Sequence, residues 1–359
     1  MARTHFTVEV VDRLEPITEE WNDLAREVSA SPFMHPGWMA CWWSAFGRGA
    51  LRVFVARYAG RVVALMPMGR RRGALHSLTN AHTPVFDVLA RRADAMTVLA
   101  DELFATGARK IEIGPLEKTG PALAALATAA RHAGYRALVQ PAMRAPYIAG
   151  GSSLVEYRRS LSNNIRHDAE RRLRRLVETG AVSVQVSDGR ERLDELLDEG
   201  FGVEASGWKG ARGTAIASRA STRSFYRDLA YWAASLGWLR LAFLRLDGRA
   251  IAFQFDLEPG GTYYSLKIGY DPEYERFSPG KLLAHAMVSR AVASGLMRYE
   301  LLGTDEQWKY RWTNSVHERV MLRAFAPSAA GLLAWSSRAR LRPLARRVPL
   351  ARRLAQVMR

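Results

Sequence analysis

A repeat constrains this chain more than any other feature of its sequence. Gly49 and Gly237, Gly60 and Gly248, Gly107 and Gly295, and Glu112 and Glu300 are each separated by 188 residues. Glycines that end helices or turn hairpins sit where the backbone needs a positive φ, so they are the residues that a duplication preserves. The hydrophobic period repeats around them. In the second half, a strand Leu239 to Leu246, an Asp247-Gly248 turn and a strand Ala250 to Leu257 alternating Ile251, Phe253, Phe255 and Leu257 read as a hairpin. A third strand Thr262 to Ile268, a helix Pro279 to Ser294 stopped at Gly295, and a strand Arg298 to Leu302 follow. A short helical stretch, Asp305 to Thr313, and a strand Val316 to Phe325 close the unit. The first half gives the same order: strands Leu51 to Tyr58 and Arg61 to Met68, a helix Ala93 to Thr106, then a strand Arg109 to Gly114. This pattern predicts a mixed α/β (α+β) chain of two copies, each a mostly antiparallel mixed sheet flanked by helices.

A chain of 359 residues is long enough for two cores. The expected division is 1–150, 151–327 beginning with an Arg-rich bridging helix, and a basic amphipathic tail 328–359. The bridge, Tyr157 to Glu178, places Ile165, Ala169, Leu173 and Leu176 on one helical face and surrounds them with Arg158, Arg159, Arg166, Arg171, Arg172, Arg174 and Arg175. Two readings stay open for it: a solvated face, or a positive wall beside a ligand cleft.

Net charge is +17, and no Asp or Glu follows Glu318 whereas ten Arg do. Such an excess suits anionic ligands, nucleic acid or an acidic membrane face. In the tail, Leu341, Leu344, Val348, Leu350, Leu354 and Val357 are interleaved with Arg, which suits peripheral contact with an anionic membrane; Arg without aromatic stacking motifs argues against nucleic acid. The N-terminus lacks the apolar core of a signal peptide, and Cys41 stands alone among Trp38, Trp42 and Trp43, so a cytoplasmic location is expected, extending to the inner face of the cell membrane. The eight histidines show no metal-ligand spacing, and no metal or permanently bound cofactor is expected.

Phe277-Ser278-Pro279-Gly280-Lys281 combines signals for a helix start that meets an anion. Ser is a preferred N-cap, Pro suits the first helical position, Gly280 leaves room, and Lys281 adds charge to the positive end of the dipole. Pyrophosphate fits such a place; an ordinary capped helix is the alternative. The counterpart 188 residues earlier, Ala90-Arg91-Arg92-Ala93, has neither cap nor glycine, so one site per chain is expected, with the first copy shaping the acceptor side.

Three runs carry a resemblance: Tyr263 through Pro272 (Tyr-Tyr-Ser-Leu-Lys-Ile-Gly-Tyr-Asp-Pro), Phe277 through Leu283, and Leu301 through Thr313 (Leu-Leu-Gly-Thr-Asp-Glu-Gln-Trp-Lys-Tyr-Arg-Trp-Thr). Over about 120 residues they resemble the GNAT-type acetyltransferases of the CelD/BcsL cellulose-biosynthesis group, relatives of the FemABX peptidyltransferases. The usual pyrophosphate signature, Gln/Arg-x-x-Gly-x-Gly/Ala, is met only loosely by Arg276 and Gly280. The resemblance implies tandem GNAT-like domains, the first degenerate, and an N-acyltransferase, in particular an acetyltransferase. Acetyl-CoA or another acyl-CoA would be its cosubstrate, and an amine or hydroxyl of a cell-envelope or polysaccharide-related molecule its acceptor. It places donor contacts at Ile268, Gly269, Arg276, Phe277, Ser278, Gly280 and Lys281, and acceptor contacts at Trp208, Lys209, Tyr264 and Lys267.

Acyl transfer to an amine needs a deprotonated nucleophile, a stabilised oxyanion and a protonated leaving thiolate. No Cys-His or Ser-His-Asp set is evident, so direct attack in a ternary complex is expected, with a backbone N–H near Lys267 to Gly269 at the oxyanion. Asp305 and Lys309, four apart, and Glu204 are the candidate proton-transfer groups; a surface ion pair is the alternative for the first two. Competing functions are aminoacyl transfer from charged tRNA in the FemABX manner, without that group's coiled-coil arm, and a non-enzymatic membrane- or nucleic-acid-binding module.

Overall fold

The structure, a computed structural model, describes residues 6–207, 210 and 212–341. The chain forms two compact units, one of Met1–Met39, Gly47–Ala142 and Glu318–Arg359, the other of Ala40–Phe46 and Met143–His317. This division differs from the linear one expected at 150: residues 40–46 and 143–150 belong to the second unit, and the chain beyond His317 returns to the first.

In the first unit, β1 (Phe6–Val11) is followed by α1 (Thr18–Glu27), the start of α2 (Pro36–Phe46), the hairpin β2 (Ala50–Tyr58) and β3 (Arg61–Arg71), and short β4 (Ala74–Ser77) and β5 (Leu89–Ala90). Then come α3 (Ala93–Ala105), β6 (Lys110–Glu117), α4 (Pro121–His132) and the first half of β7 (Arg136–Ala149). Neighbouring strands β1 to β4 pair antiparallel and β4 pairs parallel with β6. Trp21, Phe33 and Trp38 are fully buried, each contributing roughly 2–3 kcal/mol by removing apolar surface from water.

The second unit takes the rest of β7, then α5 (Leu154–Ser160), α6 (Asn163–Val177), β8 (Val182–Ser187), α7 (Leu193–Ser206), α8 (Ala220–Ser235), β9 (Leu239–Leu246), β10 (Arg249–Leu257) and β11 (Thr262–Tyr270). It ends with α9 (Pro279–Ala293) and the three-residue β12 (Arg298–Glu300). Its ladder repeats that of the first unit: β8 to β11 antiparallel in sequence, β11 parallel with β12, β12 antiparallel with β7. The duplication is thus visible in pairing as well as in sequence. In both hairpins the two turn residues are left-handed, Ala59-Gly60 and Asp247-Gly248, the geometry that matches strand twist and that the second-position glycine permits.

The two faces of the second sheet are covered differently. Ala252, Leu244, Tyr263, Tyr299 and Ile148 pack under α9 with Leu283, Met287 and Val288. On the opposite face, Phe253 meets Phe201 of α7 edge-on and Phe255 meets Tyr226 of α8. The helix expected from Tyr157 to Glu178 is two helices. A capping box at Ser153–Glu156 starts α5, extended backbone at Leu161 and Ser162 breaks the run, and Leu161 is buried at the break. Within α6, Leu176 is buried, whereas Leu173, expected on the same helical face, is 44% exposed.

The last strand, β13 (Val316–Phe325), was expected to close the second copy. From Arg319 to Phe325 it instead pairs antiparallel with β6 and lies between β6 and β7 in the first unit. Nothing local encodes this choice, because an alternating strand fits any sheet with a vacant edge of matching polarity. The chain continues into α10 (Ala329–Ser336) and a turn ending at Leu341. Among the described residues no helix is long and apolar enough to cross a membrane. The greater part of the basic tail, 342–359, lies outside the described residues.

Candidate active site in the second unit

β11 and β12 pair only from Thr262–Arg298 to Tyr264–Glu300. β12 stops two residues before the expected end because Leu302 (φ 50°) and Gly303 (φ 58°) are left-handed and turn the chain away. On its other side β11 carries a bulge: Phe255 faces Lys267 and Asp256 faces Ser265, leaving Leu266 unmatched. The two parallel strands therefore part into a fork whose inner edge is the backbone of Ser265 to Tyr270, and a bulge there re-aims main-chain groups. In the first unit the parallel ladder of β4 and β6 likewise ends after three pairs, at His76 and Glu112, but there the Ser77 and Thr79 hydroxyls both donate to the Gly114 carbonyl at 2.8 Å just beyond it.

At the open end of the fork, β11 leads through Pro272–Phe277 into the start of α9. Ser278 is not the expected side-chain cap. It adopts a left-handed conformation (φ 52°), its carbonyl accepts the amides of Lys281 and Leu282, and its hydroxyl accepts from Arg172 Nη1 at 2.9 Å. Gly280 is buried with its α-carbon against the Tyr270 ring, where a Cβ would come within 3.2 Å; close packing explains this glycine. Arg172 also reaches the Arg276 carbonyl (3.3 Å), so α6 is strapped across the helix start. The Arg276 guanidinium lies over the buried Phe277 ring, 4.7 Å from its centre.

A groove of about 1120 Å³ runs along this strap, lined by Arg171, Arg172 and Arg174 of α6, Lys281, Trp308 and Arg311. Asp168 accepts from Arg171 (2.7 Å) and Arg172 (3.0 Å), and this pairing holds its carboxyl below the usual range. Lys281 is held below the ordinary lysine range by desolvation and by Arg311 and Arg172 nearby. Cations crowded with too few acids favour an anionic guest. Of the bridge's arginines, Arg171, Arg172 and Arg174 line this groove.

The remaining candidates are scattered over the same unit. Gly269 lies against α7, where a Cβ would stand 2.5 Å from Glu204 Cα, and Ile268 packs at the edge of the core under α9. Glu204 is buried and accepts the Ile216 amide at 2.8 Å, so it ties the segment between α7 and α8 to α7. Lys267 Nζ lies over the Tyr226 ring, 5.5 Å from its centre. Tyr263 is buried and stacked on Tyr299, while Tyr264 is half-buried on the opposite face, the alternation a strand requires. Trp208 and Lys209 lie outside the described residues.

Asp305 and Lys309 do not share a helical face. Only Lys309–Arg311 is helical, as a single 3-10 turn. Lys309 is buried and donates to the carbonyls of Leu302 (2.7 Å) and Thr304 (2.8 Å) and to Glu306 (3.1 Å); burial holds it below the ordinary lysine range. Asp305, half exposed, faces Arg144 at 3.5 Å. The loop after β12 wraps around the ammonium, which is why the expected helix does not form.

Sequence reasoning missed two clusters at the closed end of the fork. On the face opposite α9, Glu300, buried on β12, meets His317 Nε2 at 3.1 Å and Arg298 Nη1 at 3.5 Å through one carboxylate oxygen, Oε1; Oε2 is buried with no hydrogen-bond partner. His317 stacks on Tyr147, with ring centres 4.3 Å apart. On the α9 face, Gln254 Nε2 reaches both oxygens of the fully buried Asp256 (3.0 and 2.8 Å), Ser265 (3.0 Å) and Tyr299 (2.7 Å), and burial holds the Asp256 carboxyl well above the ordinary range. The only sequence signal for either cluster was the Glu112/Glu300 pairing of the repeat. Among the described residues no three metal-ligating side chains gather.

The second unit is thus a mixed sheet with one parallel step, forked beside a helix that begins at the fork's open end. Residues 163–310 match the family model described as an acetyltransferase (GNAT) domain. The chain is similar in fold to FemX, at 12% identity over 91% of this chain and 100% of that one, TM-score 0.63. It is similar at TM-score 0.56 and 14% identity to the C-terminal domain of a putative lysylphosphatidylglycerol synthetase from Agrobacterium fabrum, over 90% of this chain and 95% of that one. It matches L-PGS from Bacillus licheniformis at the same score and identity, over 89% and 96%. No curated protein matches the chain.

Proposed function

We propose that the second unit is an N-acyltransferase, in particular an acetyltransferase, that takes its acyl group from an acyl-CoA. The observation that carries this reading is the fork between β11 and β12 opening onto the α9 start and its cationic groove. The thioester arm would lie along the unpaired edge of β11, where main-chain N–H groups around the Leu266 bulge can receive the developing oxyanion. The pyrophosphate would meet the first turn of α9 together with Lys281, Arg172 and Arg311. The acceptor, an amine or hydroxyl such as one on an envelope or polysaccharide-related molecule of the kind the CelD/BcsL resemblance implies, would attack directly from the α7 face. Calorimetric titration with CoA tests this: binding in the micromolar range that weakens in Lys281→Ala supports it, and no binding at high micromolar CoA rejects it.

A second reading has its own observation. Arg171 and Arg174 line the groove in addition to Arg172, Lys281 and Arg311, and the fold matches include FemX and the C-terminal domain of a putative lysylphosphatidylglycerol synthetase. Under this reading the donor is a charged tRNA whose phosphates follow α6. Affinity for tRNA falling steeply with salt, without CoA binding, favours it.

A further inference from the structure

We infer that Glu300 is the catalytic base of this site, receiving through Oε2 the proton that the attacking acceptor nitrogen gives up; the inference rests on the acyl-CoA reading. Glu300 is the last paired residue of β12, opposite Tyr264 of β11, so its side chain leaves the sheet at the point where the fork begins. The carboxylate is held from one side only. His317 Nε2 (3.1 Å) and Arg298 (3.5 Å) approach Oε1, and Tyr147 fixes the imidazole by stacking at 4.3 Å. The second oxygen is buried and has no donor, an arrangement that costs free energy unless something else completes it. An N–H of an acceptor amine in the fork would do so.

The duplication supplies an internal comparison. At the matching place in the first unit, Glu112 is paired on both oxygens, Oε2 with Lys110 at 2.6 Å and Oε1 with Arg323 at 2.8 Å, and these cations hold its carboxyl low. That is a satisfied structural ion pair. In the second unit Arg298 takes the place of Lys110 but stands at 3.5 Å, and a histidine replaces the guanidinium. At the end of the same three-pair parallel ladder, the carboxylate is thus paired through both oxygens in the first unit and through one in the second.

An acceptor that arrives as an ammonium gives one proton to Glu300 Oε2, and the lone pair so freed bonds to the thioester carbon as the carbonyl becomes an oxyanion. The oxyanion then collapses, the C–S bond breaks, the nitrogen, now cationic, gives up a further proton to the leaving thiolate, and Glu300 returns its own proton to solvent.

The test measures CoA thiol release from acetyl-CoA with a panel of primary alkylamines and with hydroxylamine, whose nitrogen is already unprotonated at neutral pH and needs little help from a base. Glu300→Gln is expected to lower alkylamine transfer by roughly 100-fold or more while CoA affinity and the hydroxylamine reaction stay within about threefold; Glu112→Gln is expected to leave both reactions unchanged. An equal loss for alkylamines and hydroxylamine with CoA binding intact, or no loss for either, overturns the inference and leaves the donor reading standing. Failure of the parent to bind CoA, or to release thiol with any amine, overturns the donor reading and this inference with it.

Discussion

Lys309 Nζ donates to the carbonyl of Leu302 at 2.7 Å, closing the loop after β12 around a buried ammonium. Because Leu302 is the residue whose left-handed turn ends β12, this bond helps to set where the fork starts. Replacing Lys309 by Met removes a charged donor from two carbonyls and Glu306. It is expected to lower stability by about 2–3 kcal/mol in urea denaturation. A variant as stable as the parent would show that the loop closes without it.

Lys281 and Arg172 act at the groove through charge. Lys281→Ala is expected to weaken CoA binding roughly tenfold at low salt and by less at high salt, read by calorimetry. Arg172→Ala also frees the Ser278 hydroxyl and the Arg276 carbonyl, so a larger loss is expected, accompanied by a lower melting temperature.

Asp256 gives a pH signature. Its folded pKa lies well above the ordinary value through burial, so the native state retains a proton that the unfolded chain has released. This group's contribution is therefore fully present below the ordinary carboxylate range and is lost as pH rises through the raised value. Asp256→Asn keeps the shape without the ionisation. Its stability relative to the parent is therefore expected to rise between pH 5 and pH 8, and a pH-independent difference in thermal melting would contradict this.

Gly269 is a packing glycine. A methyl there would stand 2.5 Å from the α-carbon of Glu204, which belongs to α7 and cannot swing aside as a side-chain tip would. Gly269→Ala is expected to cost about 1–3 kcal/mol and to displace α7 from β11, seen in denaturation curves. Gly260→Ala, where no atom lies within 4 Å but φ is 55°, separates backbone strain from overpacking.

Much of the second unit was legible in its sequence. β9, β10, β11 and α9 fall within one or two residues of where alternation, the Asp247-Gly248 turn and the Gly295 stop put them, because hydrophobic period and φ-demanding glycines act locally. The α9 start was located but explained wrongly in part: Ser278 caps the helix through its carbonyl while its hydroxyl serves Arg172, and Gly280 packs against Tyr270. Asp305 and Lys309 were grouped by spacing, a criterion that holds only on a regular helix, and the loop is not one.

The sequence by itself determined the repeated order of strands and helices and the single Ser-Pro-Gly-Lys helix start, since both follow from short-range periodicity and backbone preference. Only the tertiary structure decided that β13 joins the first unit, that β11 and β12 part after Tyr264 and Glu300, and that Glu300 meets a histidine 17 residues away. Each of these depends on which edges and faces meet across long stretches of chain. Residues spaced along a sequence carry no mark of the partner that folding will set opposite them.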